Sequence, residues 1–221
     1  MATAAKAVSE TRGAERERST TAGRRQAILE AAREVFLEHG YADSTVDAVV
    51  ERAGGSKATV YALFGNKEGL FGSVAALCGD EFAGAVDKVH VCTSLPESLR
   101  RIALAYCKVA FDPKRLAMFR MAAGESGRKP ESGDAFYRLG PRVALEIVAK
   151  FFRKCADAGL LETSEPELLA DCFLGALRGA QYNRAVLNPT RIPTQQELER
   201  HIDFVIEIFL RGLRRPATRD R

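Results

Sequence analysis

Lys57, Thr59 and Tyr61 fall within five residues, with the small residues Ala58 and Ala62 beside them. A lysine can neutralise a phosphate or donate to guanine O6 and N7. A threonine can hydrogen-bond a base edge or offer its methyl to thymine. Tyr61, and Lys67 six residues on, can donate to phosphates at a groove's edge, contacts that fix register without reading sequence. Alanine at 58 and 62 lets a helix backbone sit deep in a major groove. Nothing else in the chain points as directly to a chemistry. His39, His90 and His201 are spread out and form no metal-ligand or triad-like constellation. No Gly-rich phosphate loop and no distinctive carboxylate pair occurs. The sequence therefore argues against an enzyme and implies neither cofactor nor metal.

Side chains of this kind need a short, firmly held helix. Ser56 is a candidate N-cap for one running from Lys57 to about Phe64, because its hydroxyl can accept from an otherwise unpaired backbone N–H. Val60 and Phe64 lie four apart and would face inward. Upstream, Ser44 or Thr45 can cap another short helix with Val46, Val49, Val50 and Ala53 on its buried side. Gly54 would end it, since glycine accepts the left-handed backbone that stops a helix. Two short helices about a glycine turn are the sequence form of a helix-turn-helix. The spacing alone equally describes an ordinary helical hairpin with a solvated face.

The 221 residues suffice for one substantial core or two small domains, and 46% are hydrophobic. The net charge of +4 says little about partners. From Met1 to Ala75 ten lysines and arginines face ten acids. Any electrostatic footprint must then come from geometry, with Arg24, Arg25, Lys57 and Lys67 clustered and the acids on the far side. The five cysteines, Cys78, Cys92, Cys107, Cys155 and Cys172, have neither zinc-knuckle nor redox spacing. Four of them sit in helical apolar stretches as small core fillers, which fits a reducing cytoplasm. No apolar run approaches a membrane span of about 20 residues, and the N-terminus lacks the apolar core of a secretory signal. Residues 1–23 read as a disordered arm, either solvated or touching DNA.

The remainder reads as helices with clear punctuation. An apolar stripe from Leu70 through Phe82 to Val89 marks a long helix leaving the first domain. Ser94 with Glu97, Ser164 with Glu167 and Thr194 with Glu197 have the spacing of capping boxes. Asp112-Pro113 breaks the chain, Gly124 to Gly133 reads as a loop, and Gly140-Pro141 restarts a helix that stops at Gly159. The domain plan is 1–23 arm, 24–70 helix-turn-helix, 71–215 helical body and 216–221 tail, all-α throughout. Phe82, Val86, Tyr106, Phe111, Met118, Phe119, Phe136, Tyr137, Phe151 and Phe173 could line an apolar cavity or simply pack.

The run GYADSTVDAVVERAGGSKATVYALFGNKEGLF resembles the N-terminal domain of the TetR family of bacterial transcriptional regulators. The matching residues are Gly40-Tyr41, Thr45, Ala53-Gly54, Ser56-Lys57, Thr59, Tyr61, Phe64 and Lys67-Glu68 with Leu70. The resemblance implies that a helix from about Arg24 to His39, striped by Ile28, Ala32, Val35 and Phe36, buttresses the motif. It also brings Tyr41 and Thr45 into the expected DNA-contact set of Arg24, Ser56, Lys57, Ala58, Thr59, Tyr61, Ala62 and Lys67. There are departures: Gly55 replaces a bulky aliphatic residue, Leu63 a frequent His or Tyr, and Ala58 a frequent Gly. The first implies a turn that is looser or packed by a neighbour.

The segment from Arg115 to Pro141 resembles the C-terminal region of AefR-like members. That implies an all-helical body with a cavity for a small hydrophobic effector. It also implies that the last two long helices, about Pro166 to Leu187 and Gln195 to Leu213, pair with a second subunit. Phe173, Gly175, Ala176, Gly179, Ala180, Val205, Phe209 and Leu213 could fill that seam. The expected function is a homodimeric repressor on a palindromic operator, released by the effector. The alternative is a helical adaptor that does not bind DNA.

Overall fold

The structure is a computed structural model that describes residues 2–87 and 94–213; the side chains of 2–20, 78 and 80 fall outside that description. Val89, His90, Cys92 and the expected tail at 216–221 are outside the described residues. Among those described, all regular structure is helical, as the sequence implies. The helices are α1 (Ala2–Asp43), α2 (Val46–Ala53), α3 (Lys57–Phe64), α4 (Lys67–Val86), α5 (Leu95–Ala110), α6 (Pro113–Ser126), α7 (Pro130–Leu139), α8 (Pro141–Asp157), α9 (Pro166–Leu187) and α10 (Gln195–Gly212). They form two compact units, Met1–Val74 and Ala75–Arg221. That boundary falls four residues later than the sequence places it, inside α4.

In the first unit the backbone is helical from Ala2, where a disordered arm was expected. The arm is rich in alanine, glutamate and arginine and has no proline, a composition that favours a helix. Gly40, at φ 76°, breaks α1 near its end. Ile28, Leu29, Ala32, Val35 and Phe36 on α1 and Val49, Val60, Phe64, Leu70 and Phe71 are the buried core residues of this unit's helices. Phe36 stands edge-on to Phe71, with ring centroids 5.1 Å apart. Arg52 on α2 reaches Glu38 at 2.6 Å and Glu34 at 3.8 Å on α1. The Arg52 hydrogen bond holds the Glu38 carboxyl below its ordinary range.

The second unit is a helical body. α8 lies along α9 through Phe152 and Phe173, 5.8 Å apart, and Phe173 stands edge-on to Phe209 of α10 at 5.0 Å. Arg120 on α6 donates to the Ala185 and Val186 carbonyls of α9. Thr194 and Glu197 complete a capping box at α10. The other two expected boxes do not form: Ser94 makes no side-chain cap bond, and Glu165, not Ser164, precedes α9. Proline sits in the first turn of both helices, where its fixed φ suits a helix start without a side-chain cap. The expected loop from Gly124 to Gly133 shrinks to the gap between α6 and α7, since the α6 pattern continues to Ser126 and Pro130 starts α7. Cys107 and Cys155 are core fillers, and burial pushes their thiols up to about 12 and about 11. Cys172, expected among them, is exposed. Contrary to the expectation that no apolar run approaches a membrane span, α4 has the length and mean hydropathy (1.2) of a membrane-crossing helix; half of that stretch is buried inside the protein.

Candidate nucleic-acid interface

α2 and α3 are each eight residues long, so each spans about 12 Å. Such short helices hold only if their ends are satisfied. Thr45 caps α2, its hydroxyl accepting from the Ala48 N–H at 3.1 Å. Ser44 is instead buried and donates to the Val35 carbonyl at 3.2 Å. Ser56 caps α3, accepting from the Thr59 N–H at 3.2 Å, while its oxygen lies 3.0 Å from the Thr59 hydroxyl. At the other end the Gly65 N–H returns to the Tyr61 carbonyl at 2.8 Å.

Between the helices Gly54 and Gly55 both take positive φ, 74° and 91°. The Arg24 guanidinium from α1 closes this turn, donating to the carbonyls of Ala53 (3.2 Å) and Gly54. A Cβ built on Gly55 would stand 2.8 Å from the Arg24 Cζ and closer still to one of its nitrogens. The missing aliphatic plug is thus replaced by an arginine from the buttress helix. Sequence reasoning allowed for a neighbour here but placed Arg24 on DNA.

The outward face of α3 carries Ser56, Lys57, Ala58, Tyr61 and Ala62, all exposed, with Tyr61 48% accessible. Val60 and Phe64 point into the core, as their spacing requires. Thr59 is half-buried at the cap. Lys57 pairs with Asp47 of α2 at 2.7 Å, a surface contact that raises the lysine's pKa. An acid therefore sits beside this cation, not on the far side of the unit.

Two expected contacts are turned inward. Tyr41 is 3% exposed and lies 4.9 Å from the Phe71 ring, because the chain bends at Gly40 and directs the next side chain into the core. Lys67 donates to the Ala42 carbonyl at 3.0 Å and lies 4.6 Å from the Tyr41 ring centre. Arg25 stacks over Phe64 at 5.3 Å. The four cations expected to cluster are each engaged within the unit.

The second unit holds an apolar cavity of about 90 Å³. Phe82, Tyr106, Phe119 and Phe136 line it as expected, together with Ala75, Gly79, Val109, Ala110, Arg115, Gly140, Pro141, Ala144, Arg178 and Tyr182. Val86, Phe111, Met118, Phe151 and Phe173 are buried in packing instead, and Tyr137 is 55% exposed. Helical spacing marks an apolar face but does not say which buried side chains border a void. The two arginines and Tyr182 carry no signal in an apolar stripe, because a polar side chain on such a wall looks in sequence like one on a solvated face.

The expected pairing seam is also partly internal. Phe173 and Val205 are buried core, and Phe209 meets Phe173 edge-on. Gly175 and Ala180 are exposed, while Ala176, Gly179 and Leu213 are half-buried. Gly179 breaks the helix at φ 53°, and the His201 ring enters beside it, with Nε2 2.8 Å from the Ala176 carbonyl. The outward apolar residues are Leu168 and Leu187 on α9 and Phe204 and Ile208 on α10.

A capped eight-residue helix with an open polar and small-residue face, braced in a helix-turn-helix, defines a DNA-binding module, here joined to an all-helical body. Comparisons agree. Residues 28–74 match the family model of the bacterial regulatory proteins of the tetR family, and residues 97–213 that of the AefR-like transcriptional repressor C-terminal domain. The chain belongs to the TetR family and is a DNA-binding transcriptional regulator, not an enzyme. It is 24% identical to the HTH-type transcriptional regulator YvkB of Bacillus subtilis over 84% of this chain and 95% of that one. It is 33% identical to the HTH-type transcriptional repressor ComR of Escherichia coli over 55% and 59%. Among solved structures, a TetR-family regulator from Mesorhizobium loti superposes with a TM-score of 0.76 at 29% identity, over 87% of this chain and 97% of that one. The flavonoid-responsive regulator FrrA superposes with a TM-score of 0.72 at 30% identity, over 89% and 100%.

Proposed function

We propose that the protein is a cytoplasmic, homodimeric repressor that reads a palindromic operator through α3 and leaves it when a small hydrophobic effector enters the body. The observation that carries this reading is the open face of Lys57, Ala58, Tyr61 and Ala62 on a helix held at both ends. Pairing is supported by Leu168, Leu187, Phe204 and Ile208, apolar residues left in solvent on the last two helices. In a dimer the two α3 helices would lie about one duplex turn apart, roughly 34–36 Å, or a multiple of it. The lined cavity supports an effector, as does the similarity to a regulator described as flavonoid-responsive. The effector acts only through a difference in affinity between the DNA-competent and DNA-incompetent forms, and that difference limits the shift in DNA binding.

The test is a titration of promoter-region duplex across a salt series. Affinity should fall steeply with salt, and Lys57→Ala should flatten the log–log slope by about one. Thr59→Ala should change preference among duplexes more than it weakens all of them. Salt-independent association would overturn the reading.

A further inference from the structure

We propose that the cavity of the second unit selects a small aromatic compound with one acidic oxygen, a carboxylate or phenolate, and seats that oxygen on Arg115. The inference deepens the effector reading above and rests on it, since the cavity is the same. The wall is largely aromatic, with Phe119 set edge-on to both Phe136 (6.2 Å) and Tyr182 (5.7 Å), so a flat ring has faces and edges to pack against. Its volume of about 90 Å³ calls for a ligand of one ring rather than an extended scaffold, with the ring walls giving slightly to admit it.

The polar groups on that wall are one-sided. Arg115 and Arg178 are both in the lining, and among the described residues no carboxylate is. One Arg115 nitrogen, Nη2, donates to Glu81, which is itself half-exposed. The other, Nη1, is buried without a hydrogen-bond partner. A buried guanidinium donor left open is costly, and an anionic oxygen is the acceptor that satisfies it best. Glu81 already occupies Nη2, so the single open donor calls for one acidic oxygen on the ligand. Arg178 is drawn over the Tyr182 ring, 5.8 Å from its centre, and adds positive potential to the lining. The Tyr106 hydroxyl, pushed up to about 12 by burial, stays protonated and is a donor at any physiological pH.

The probes are salicylate and its neutral counterpart salicylamide, titrated at pH 7 into the full chain and followed by probe fluorescence, which no tryptophan in this chain obscures. Salicylate should bind at least about tenfold more tightly, the ratio expected for one charged hydrogen bond. Arg115→Met, which keeps the stem, should erase the preference and leave salicylamide binding unchanged. Glu81→Gln should keep or strengthen salicylate binding, because it frees the second nitrogen. Equal binding of the two probes, a preference that survives Arg115→Met, or binding of neither would overturn the proposal. Release of duplex is scored separately. Arg115-dependent binding without release would sustain the ligand class and refute the cavity as the effector site.

Discussion

Gly55→Ala is the substitution that tests most directly how the DNA-reading helix is held. At φ 91° an alanine carries a left-handed strain of about 1–2 kcal/mol. Its methyl would also occupy the space of the Arg24 guanidinium, whose Cζ lies 2.8 Å from the Cβ position. Arg24 must then release the Ala53 and Gly54 carbonyls, charge-assisted bonds worth about 1.5 kcal/mol each at the low end of their range. Water replaces the partner at these accessible carbonyls, so we halve that loss and expect Gly55→Ala to destabilise by about 3 kcal/mol. Arg24→Ala should cost about 1.5 kcal/mol by losing the bonds alone. In the Arg24→Ala background, Gly55→Ala should add only the backbone strain. The double-mutant cycle should therefore close with a coupling of about 1–1.5 kcal/mol, read from urea unfolding, and both single variants should weaken duplex binding. A cycle additive to within about 0.5 kcal/mol would mean that Arg24 does not fill the turn.

Three further outcomes follow from other contacts. Asp47→Asn frees Lys57 and removes an acid beside the expected phosphate path; promoter duplex should bind up to about fivefold more tightly at low salt, the ceiling for a solvent-exposed ion pair, and unchanged affinity would place Lys57 away from the backbone. Native Cys107 and Cys155 should resist alkylation while Cys172 reacts, because burial raises the first two thiols to about 12 and about 11. Folded pKa values above the ordinary value of about 8.5 also mean that their contribution to stability is full below that pH and is lost as pH rises toward 11–12; unfolding midpoints that hold steady from pH 8 to 10.5 would contradict this. Gly179→Ala should lower the unfolding free energy read from urea titration by about 1–2 kcal/mol, since the left-handed backbone disfavours a side chain and the new Cβ would crowd His201 at 3.1 Å; a neutral result would mean that α9 straightens without loss.

The helix-turn-helix was legible because its signals are local. Ser56 and Thr45 cap within three residues of themselves, Val60 and Phe64 share a face by spacing, and Gly54 ends α2 by its own backbone freedom. What was not legible depends on partners far along the chain. Arg24 lies 29 residues from Ala53, and Lys67 lies 25 from Ala42. A cation's residue type is the same whether it serves a backbone carbonyl or a phosphate. Tyr41 was misplaced for a related reason, since the bend at Gly40 decides whether its ring faces solvent or Phe71.

The body shows the same division. Pro113 and Pro141 begin helices because proline suits a first turn, and a sequence displays that openly; Pro130 does the same, but the polar, Gly-rich run from Gly124 to Gly133 around it reads as a loop. A cavity is different, because it is defined by the atoms that fail to meet. Phe151 and Phe119 have the same residue type and sit on similar stripes, yet the first packs on Phe152 and the second borders the void. On α10, Val205 and Phe209 are four apart and read as a seam, but they turn inward, while Phe204 and Ile208, also four apart, face solvent. Both stripes are apolar, so only the packing of α5 and α9 against α10 decides which is core. A helix with apolar residues on two faces needs two partners. The first is supplied by this subunit, and an exposed second stripe is a physical reason to expect another copy of the chain.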